Sequence, residues 1–111
     1  MDVKEIIDRF YPCDDELKTI YMAHANAVAG FALELAGGHP ELGLDKEFLY
    51  EAAMLHDIGI FLTDAPRIHC HGKEEYLCHG YLGACLLREL GLERHARVCE
   101  RHTGTGLSKE V

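Results

Sequence analysis

Paired cysteine spacing, long apolar runs, alternating β-branched stretches and a surplus of basic charge are all absent from this 111-residue sequence, and each absence closes off a class of protein. The five cysteines, Cys13, Cys70, Cys78, Cys85 and Cys99, are odd in number and include no CxxC, which argues against a disulfide framework and a zinc ribbon. They read as free thiols in a reducing compartment. No apolar run approaches the roughly 20 residues that cross a bilayer. The opening Met1-Asp2-Val3-Lys4-Glu5 is charged where a secretory signal carries an apolar segment. A cytoplasmic protein with no membrane partner is expected. The formal charge is −8, the wrong sign for a protein that neutralises phosphates along a polymer, so nucleic acid is not an expected partner.

What is present is enough for one core. The chain is of single-domain length, is 48% hydrophobic and mixes charged with apolar residues throughout, without a repeat or a linker. Its charge is uneven: residues 1–57 hold 4 basic and 12 acidic groups, and residues 58–111 hold 7 of each. Helical spacing dominates. Val3 to Phe10 reads as a short opening helix before Tyr11-Pro12. Leu17, Ile20, His24, Val28, Phe31 and Leu35 mark the apolar face of a long one that Gly37-Gly38 and Pro40 stop. Asp45 is a candidate N-cap for a helix through Leu55 that Gly59 ends. Residues 60–77 read as an ordered loop or short helices. Further helices are expected from near His79 to Gly91 and from Leu92 to His102, with Gly104 and Gly106 breaking the last. Strands are not expected.

The most informative feature is His56-Asp57, set in Ala52-Ala53-Met54-Leu55-His56-Asp57-Ile58-Gly59. A carboxylate at the end of an apolar helix needs a cation or several donors when buried. His24 falls on the apolar face of its helix, His79 precedes a helix and His102 closes one. Four histidines and an aspartate at such places are the donor types that suit zinc, iron or manganese. His39 reads as a loop residue and His95, among charges, as solvated. His69 and His71 flank Cys70 but lack the second ligand pair of a structural zinc site; His71 with Lys73 better suits a substrate-facing role.

The motif set His24-Ala25-Asn26-Ala27-Val28-Ala29, Ala53-Met54-Leu55-His56-Asp57-Ile58-Gly59, His79-Gly80-Tyr81-Leu82-Gly83-Ala84 and Arg101-His102-Thr103-Gly104 resembles the HD superfamily of metal-dependent phosphohydrolases, in its HDIG form and its two-metal branch. The likeness runs from about residue 17 to 108. It implies an all-α fold, an HD-like bundle of about five to six helices, with residues 1–111 as a single HD domain. It also implies one or two divalent transition metal ions (Fe, Mn, Zn or Co), with His24, His56 and Asp57 on one metal and Asp57 bridging to a second held by His79 and His102. The implied activity is hydrolysis of a phosphate ester or anhydride, most naturally of a nucleotide or related small molecule. Asp57 would orient the nucleophile. Arg67, His71 and Lys73, between the HD pair and His79, would bind substrate, His71 and Lys73 also serving catalysis. A homodimer is a further expected partner. The family pattern closes with one more aspartate beyond the last histidine, and no aspartate follows His102. The expectation is a domain lacking its C-terminal helix or helices; otherwise Glu110, water or a neighbouring subunit completes the site. Two alternatives stay open: an HD-type di-iron oxygenase, and a degenerate non-catalytic HD domain.

Overall fold

The computed structural model describes the backbone of residues 1–110 and the side chains of residues 1–102. It is an all-α bundle of five helices: α1 Val3–Phe10, α2 Glu16–Gly38, α3 Lys46–Leu55, α4 His79–Glu89 and α5 Glu93–Glu110. Three of them start on an aspartate whose carboxylate takes a backbone N–H of the first turn. Asp2 accepts from Glu5 at 3.1 Å, Asp15 from Lys18 at 2.9 Å and Asp45 from Phe48 at 3.1 Å. Each satisfies a donor that the helix itself leaves free. α2 runs through Gly37 and Gly38 and stops at His39, because Pro40 disfavours helical backbone in the residue before it. Gly91, at φ +78°, makes the left-handed turn between α4 and α5.

Two expectations need correction. The last helix does not break at Gly104 and Gly106: α5 carries on to Glu110. A helical glycine costs only about 1 kcal/mol against alanine, which neighbouring turns absorb. The core face of α2 is also only partly the large apolar stripe, of which Leu17 and Val28 pack against the core. The helix buries Tyr21, Ala25, Ala29 and Ala36 and leaves Phe31 65% and Leu35 50% exposed. Apart from Tyr21, the most deeply buried positions are thus alanines, whose small side chains suit close helix packing. His24 consequently lies at the rim, its side chain 54% exposed, and not on a core-facing side.

Residues 60–77 fold into three single-turn 3₁₀ helices, Ile60–Leu62, Pro66–Ile68 and Tyr76–Cys78, around a two-stranded antiparallel ribbon, β1 Asp64–Ala65 and β2 Cys70–His71. So short a ribbon has no alternating pattern to betray it. No helix among the described residues is long and apolar enough to cross a membrane.

The core gathers Val3, Ile7 and Tyr11 from the N-terminus, Leu55 and Ile58 from the end of α3, Leu87 from α4 and Ala96 and Cys99 from α5. Two buried tyrosines do more than fill it. Tyr21 donates to the Met54 carbonyl at 2.5 Å and Tyr11 to the Ile58 carbonyl at 2.8 Å. Both carbonyls lie where α3 ends and lack helical partners. Tyr21→Phe leaves the Met54 carbonyl without its buried donor, so we expect a loss of about 1–3 kcal/mol in urea unfolding at unchanged m-value.

Candidate metal centre

The centre is built on the turn that follows α3. His56 and Asp57 leave the helix end, and the turn is clamped on three sides: by Tyr21 from α2, by Tyr11 after α1, and by Cys99 from α5. The Cys99 thiol donates to the His56 carbonyl at 3.2 Å and the Gly80 carbonyl at 3.4 Å. Burial pushes that thiol up to about 12, so it serves as a donor and not as a thiolate. Gly59 then brings the turn against α4. A Cβ on Gly59 would lie 2.5 Å from both the Gly83 nitrogen and the His79 carbonyl oxygen, and one on Gly83 would lie 2.7 Å from Cys99 Sγ. The Gly59–Gly83 approach thus sets how near Asp57 stands to His79. Sequence reasoning missed Tyr11, Tyr21, Gly83 and Cys99 as parts of this scaffold. Only Gly83, a glycine inside a helix, carried a signal.

Four imidazoles surround the Asp57 carboxylate. His24 and His56 face Oδ2 through Nε2 at 3.3 and 3.4 Å. His79 and His102 face Oδ1 through Nε2 at 3.2 and 3.0 Å. Three of the rings are oriented from behind: Nδ1 of His56 meets the Ala53 carbonyl at 2.5 Å, that of His79 the Tyr76 carbonyl at 2.6 Å and that of His102 the Cys99 carbonyl at 2.5 Å. A carbonyl only accepts, so each Nδ1 carries the proton, and in the neutral ring each Nε2 presents a lone pair inward. Backbone carbonyls orient metal-binding histidines in this way.

Burial alone would raise the Asp57 carboxyl, but protons on Nε2 of His102 and His79, where no metal ion takes their place, outweigh it and hold the group well below the usual range. The imidazoles differ among themselves. Burial lowers His56 despite the neighbouring Asp57; burial also works against His79, where a second proton, on Nε2 and donated to Asp57, is favoured enough to raise it.

Among the described residues, two groups bring three donor atoms within 4.8 Å of one another: His24, His56 and Asp57, and Asp57, His79 and His102. The second is the tighter. His79 Nε2 and His102 Nε2 are 3.0 Å apart, and each is within 3.2 Å of Asp57 Oδ1. Three lone-pair atoms in a triangle of this size repel unless a cation sits among them. Donors bound to one ion at about 2.1 Å, at right angles, stand about 3 Å apart, so the triangle fits a transition metal.

A cavity of about 200 Å³ opens on the Asp57 carboxylate. It is lined by Ile20, Tyr21, His24, Asp57, Ile60, Ile68 and Tyr76. Arg67, His71 and Lys73 are exposed on or beside the ribbon and are not among its lining. His71 instead borders a separate acidic hollow with Asp15, Glu16 and His69. His69, in left-handed backbone, pairs with Glu16 at 2.7 Å. Cys70 is buried between these two exposed histidines, so they do not share a face with its thiol. His95 is not solvated: it meets the buried Glu51 at 2.9 Å and packs on the Phe48 ring, tying α5 to α3. The Glu110 side chain lies outside the described residues.

The HD domain family model matches residues 21–109. The chain is also similar to an uncharacterized protein, MJ0778, of Methanocaldococcus jannaschii, at 41% identity over 90 residues, which cover 78% of this chain and 47% of that protein. The chain therefore spans about half the length of the curated relative it matches. No solved structure is a significant match. With the family match covering four of the five helices and every member of the Asp57 cluster, the chain belongs to the HD domain family.

Proposed function

We propose that this protein is a metal-dependent hydrolase of small phosphate esters or anhydrides, nucleotides among them, and that the Asp57 cluster holds one or two divalent ions of Fe, Mn, Zn or Co. The observation that carries the reading is the His79–His102–Asp57 triangle, three potential metal-binding atoms 3.0–3.2 Å apart, with the Nδ1 proton of each ring held on a backbone carbonyl behind it. His24, His56 and Asp57 Oδ2 would hold one ion, and His79, His102 and Asp57 Oδ1 the other. Ions bound there supply Lewis-acid polarisation of the phosphoryl group and acidify water.

The chain's own residues do the rest. The carbonyls of Ala53, Tyr76 and Cys99 keep three imidazoles in the tautomer that faces inward. Asp57 contributes one oxygen to each group and fixes where the reacting water would stand. His24, the exposed member, lies where the cavity opens, so substrate enters past it. Hydrolysis adds the water's hydroxyl to phosphorus, breaks the bond from phosphorus to the leaving oxygen and delivers the remaining proton to that oxygen.

The test is phosphate release by protein loaded with Mn or Fe, assayed without oxygen. Release that a chelator abolishes and Mn restores is expected. Fully loaded, folded protein that releases no phosphate from a panel of nucleotides, sugar phosphates and p-nitrophenyl phosphate would remove the proposal. Oxygen consumption by that protein would point to the oxidative alternative.

A further inference from the structure

The cavity over the metal cluster has a chemical character of its own. Beyond His24 and Asp57, its lining is Ile20, Tyr21, Ile60, Ile68 and Tyr76, and among the described residues no lysine or arginine faces it. Tyr76 stands at the rim, 40% exposed, with its ring 4.4 Å from that of His79. Ile20 and Ile68, both half-buried, form walls from α2 and from the Pro66–Ile68 turn. Polyphosphates need several positive groups in addition to the ions that engage the reacting phosphoryl. This surface offers hydrocarbon and one aromatic face instead.

Resting on the hydrolase reading above, we infer that Ile20, Ile68 and Tyr76 form the leaving-group wall of the site and select phosphate monoesters whose leaving group is a flat, uncharged ring. Volume agrees with this. An apolar cavity of about 150 Å³ holds one benzene ring, whereas whole drug-sized ligands occupy about 300–1,000 Å³. At about 200 Å³ the pocket takes a single ring beside a phosphoryl group directed at Asp57. The Tyr76 ring is placed to pack against that ring, edge or face. Its backbone carbonyl, which holds His79, survives any side-chain replacement. Water displaces the ring alcohol in a single step: its hydroxyl joins phosphorus, the ester bond from phosphorus to oxygen breaks, and the departing oxygen takes the proton.

The inference is tested by calorimetric affinities of the metal-loaded protein for phenylphosphonate, methylphosphonate and imidodiphosphate, none of which it would hydrolyse as an ester. Phenylphosphonate is expected to bind at least about tenfold tighter than methylphosphonate. Ile68→Ala should weaken phenylphosphonate about fivefold and leave methylphosphonate unchanged, because Ile68 supplies none of the five metal-binding side chains. In turnover the same variant should raise KM for phenyl phosphate with kcat preserved, the signature of binding lost equally from ground and transition states. Tyr76→Leu should act likewise with metal content unchanged. Tighter binding of imidodiphosphate than of phenylphosphonate, or an Ile68→Ala loss equal for all three ligands, would overturn the inference and leave the hydrolase reading standing. Failure of all three ligands to bind would overturn both.

Discussion

Gly59→Ala is expected to destabilise the folded protein by about 3 kcal/mol or more. The new Cβ would meet two backbone atoms of α4 at 2.5 Å, the Gly83 nitrogen and the His79 carbonyl oxygen. Neither is the end of a flexible side chain, so relief requires the turn after α3 to move away from α4. That movement carries Asp57 from His79 and opens the donor cluster. Gly59 stands at φ −84°, where any residue is at ease, so the demand is for space and not for unusual backbone. Urea unfolding of the variant against the wild type measures the cost. A loss below about 1 kcal/mol would mean that α4 is not held against the turn as described. Adding saturating metal separates the two consequences: a variant that folds but binds metal weakly has kept its core and lost its geometry.

Asp57→Asn should lower kcat/KM for a phosphoester by about a thousandfold or more, with the protein still folded. The substitution keeps size and shape and removes the one negative charge that both donor groups share. Steady-state kinetics at saturating Mn, with circular dichroism as the control for folding, provide the measurement. His24→Ala and His102→Ala each remove a ligand from one group alone, so each should cost less than Asp57→Asn. A variant at Asp57 that stays within about tenfold of the wild type would place the chemistry elsewhere.

Much of the frame was legible in the sequence, for reasons that particular residues make plain. Asp45 before an apolar-periodic run is a local cap signal, and the cap forms as expected. His24, His56, Asp57, His79 and His102 stood out because imidazoles and a carboxylate are costly on apolar helix faces, and the structure brings all five together. What could not be read depends on size and on distance along the chain. Leu and Phe at helical spacing suggested one buried face of α2, but Phe31 and Leu35 are exposed while Ala25, Ala29 and Ala36 are buried, since close packing favours small side chains over large ones. Tyr21 and Met54 are 33 positions apart, Tyr11 and Ile58 are 47 apart, and no local pattern announces such bonds. His95 sat among charges along the chain, yet the fold carries it to the buried Glu51.

The central claim is that Asp57 and its four imidazoles hold metal. It is tested most directly by elemental analysis of protein purified without chelator, with Asp57→Ala prepared in parallel. The account predicts one to two equivalents of Fe, Mn, Zn or Co in the wild type and less than about a tenth of that in the folded variant. Folded wild-type protein free of metal after incubation with each of these ions, or an Asp57→Ala variant that keeps its full complement, would contradict it.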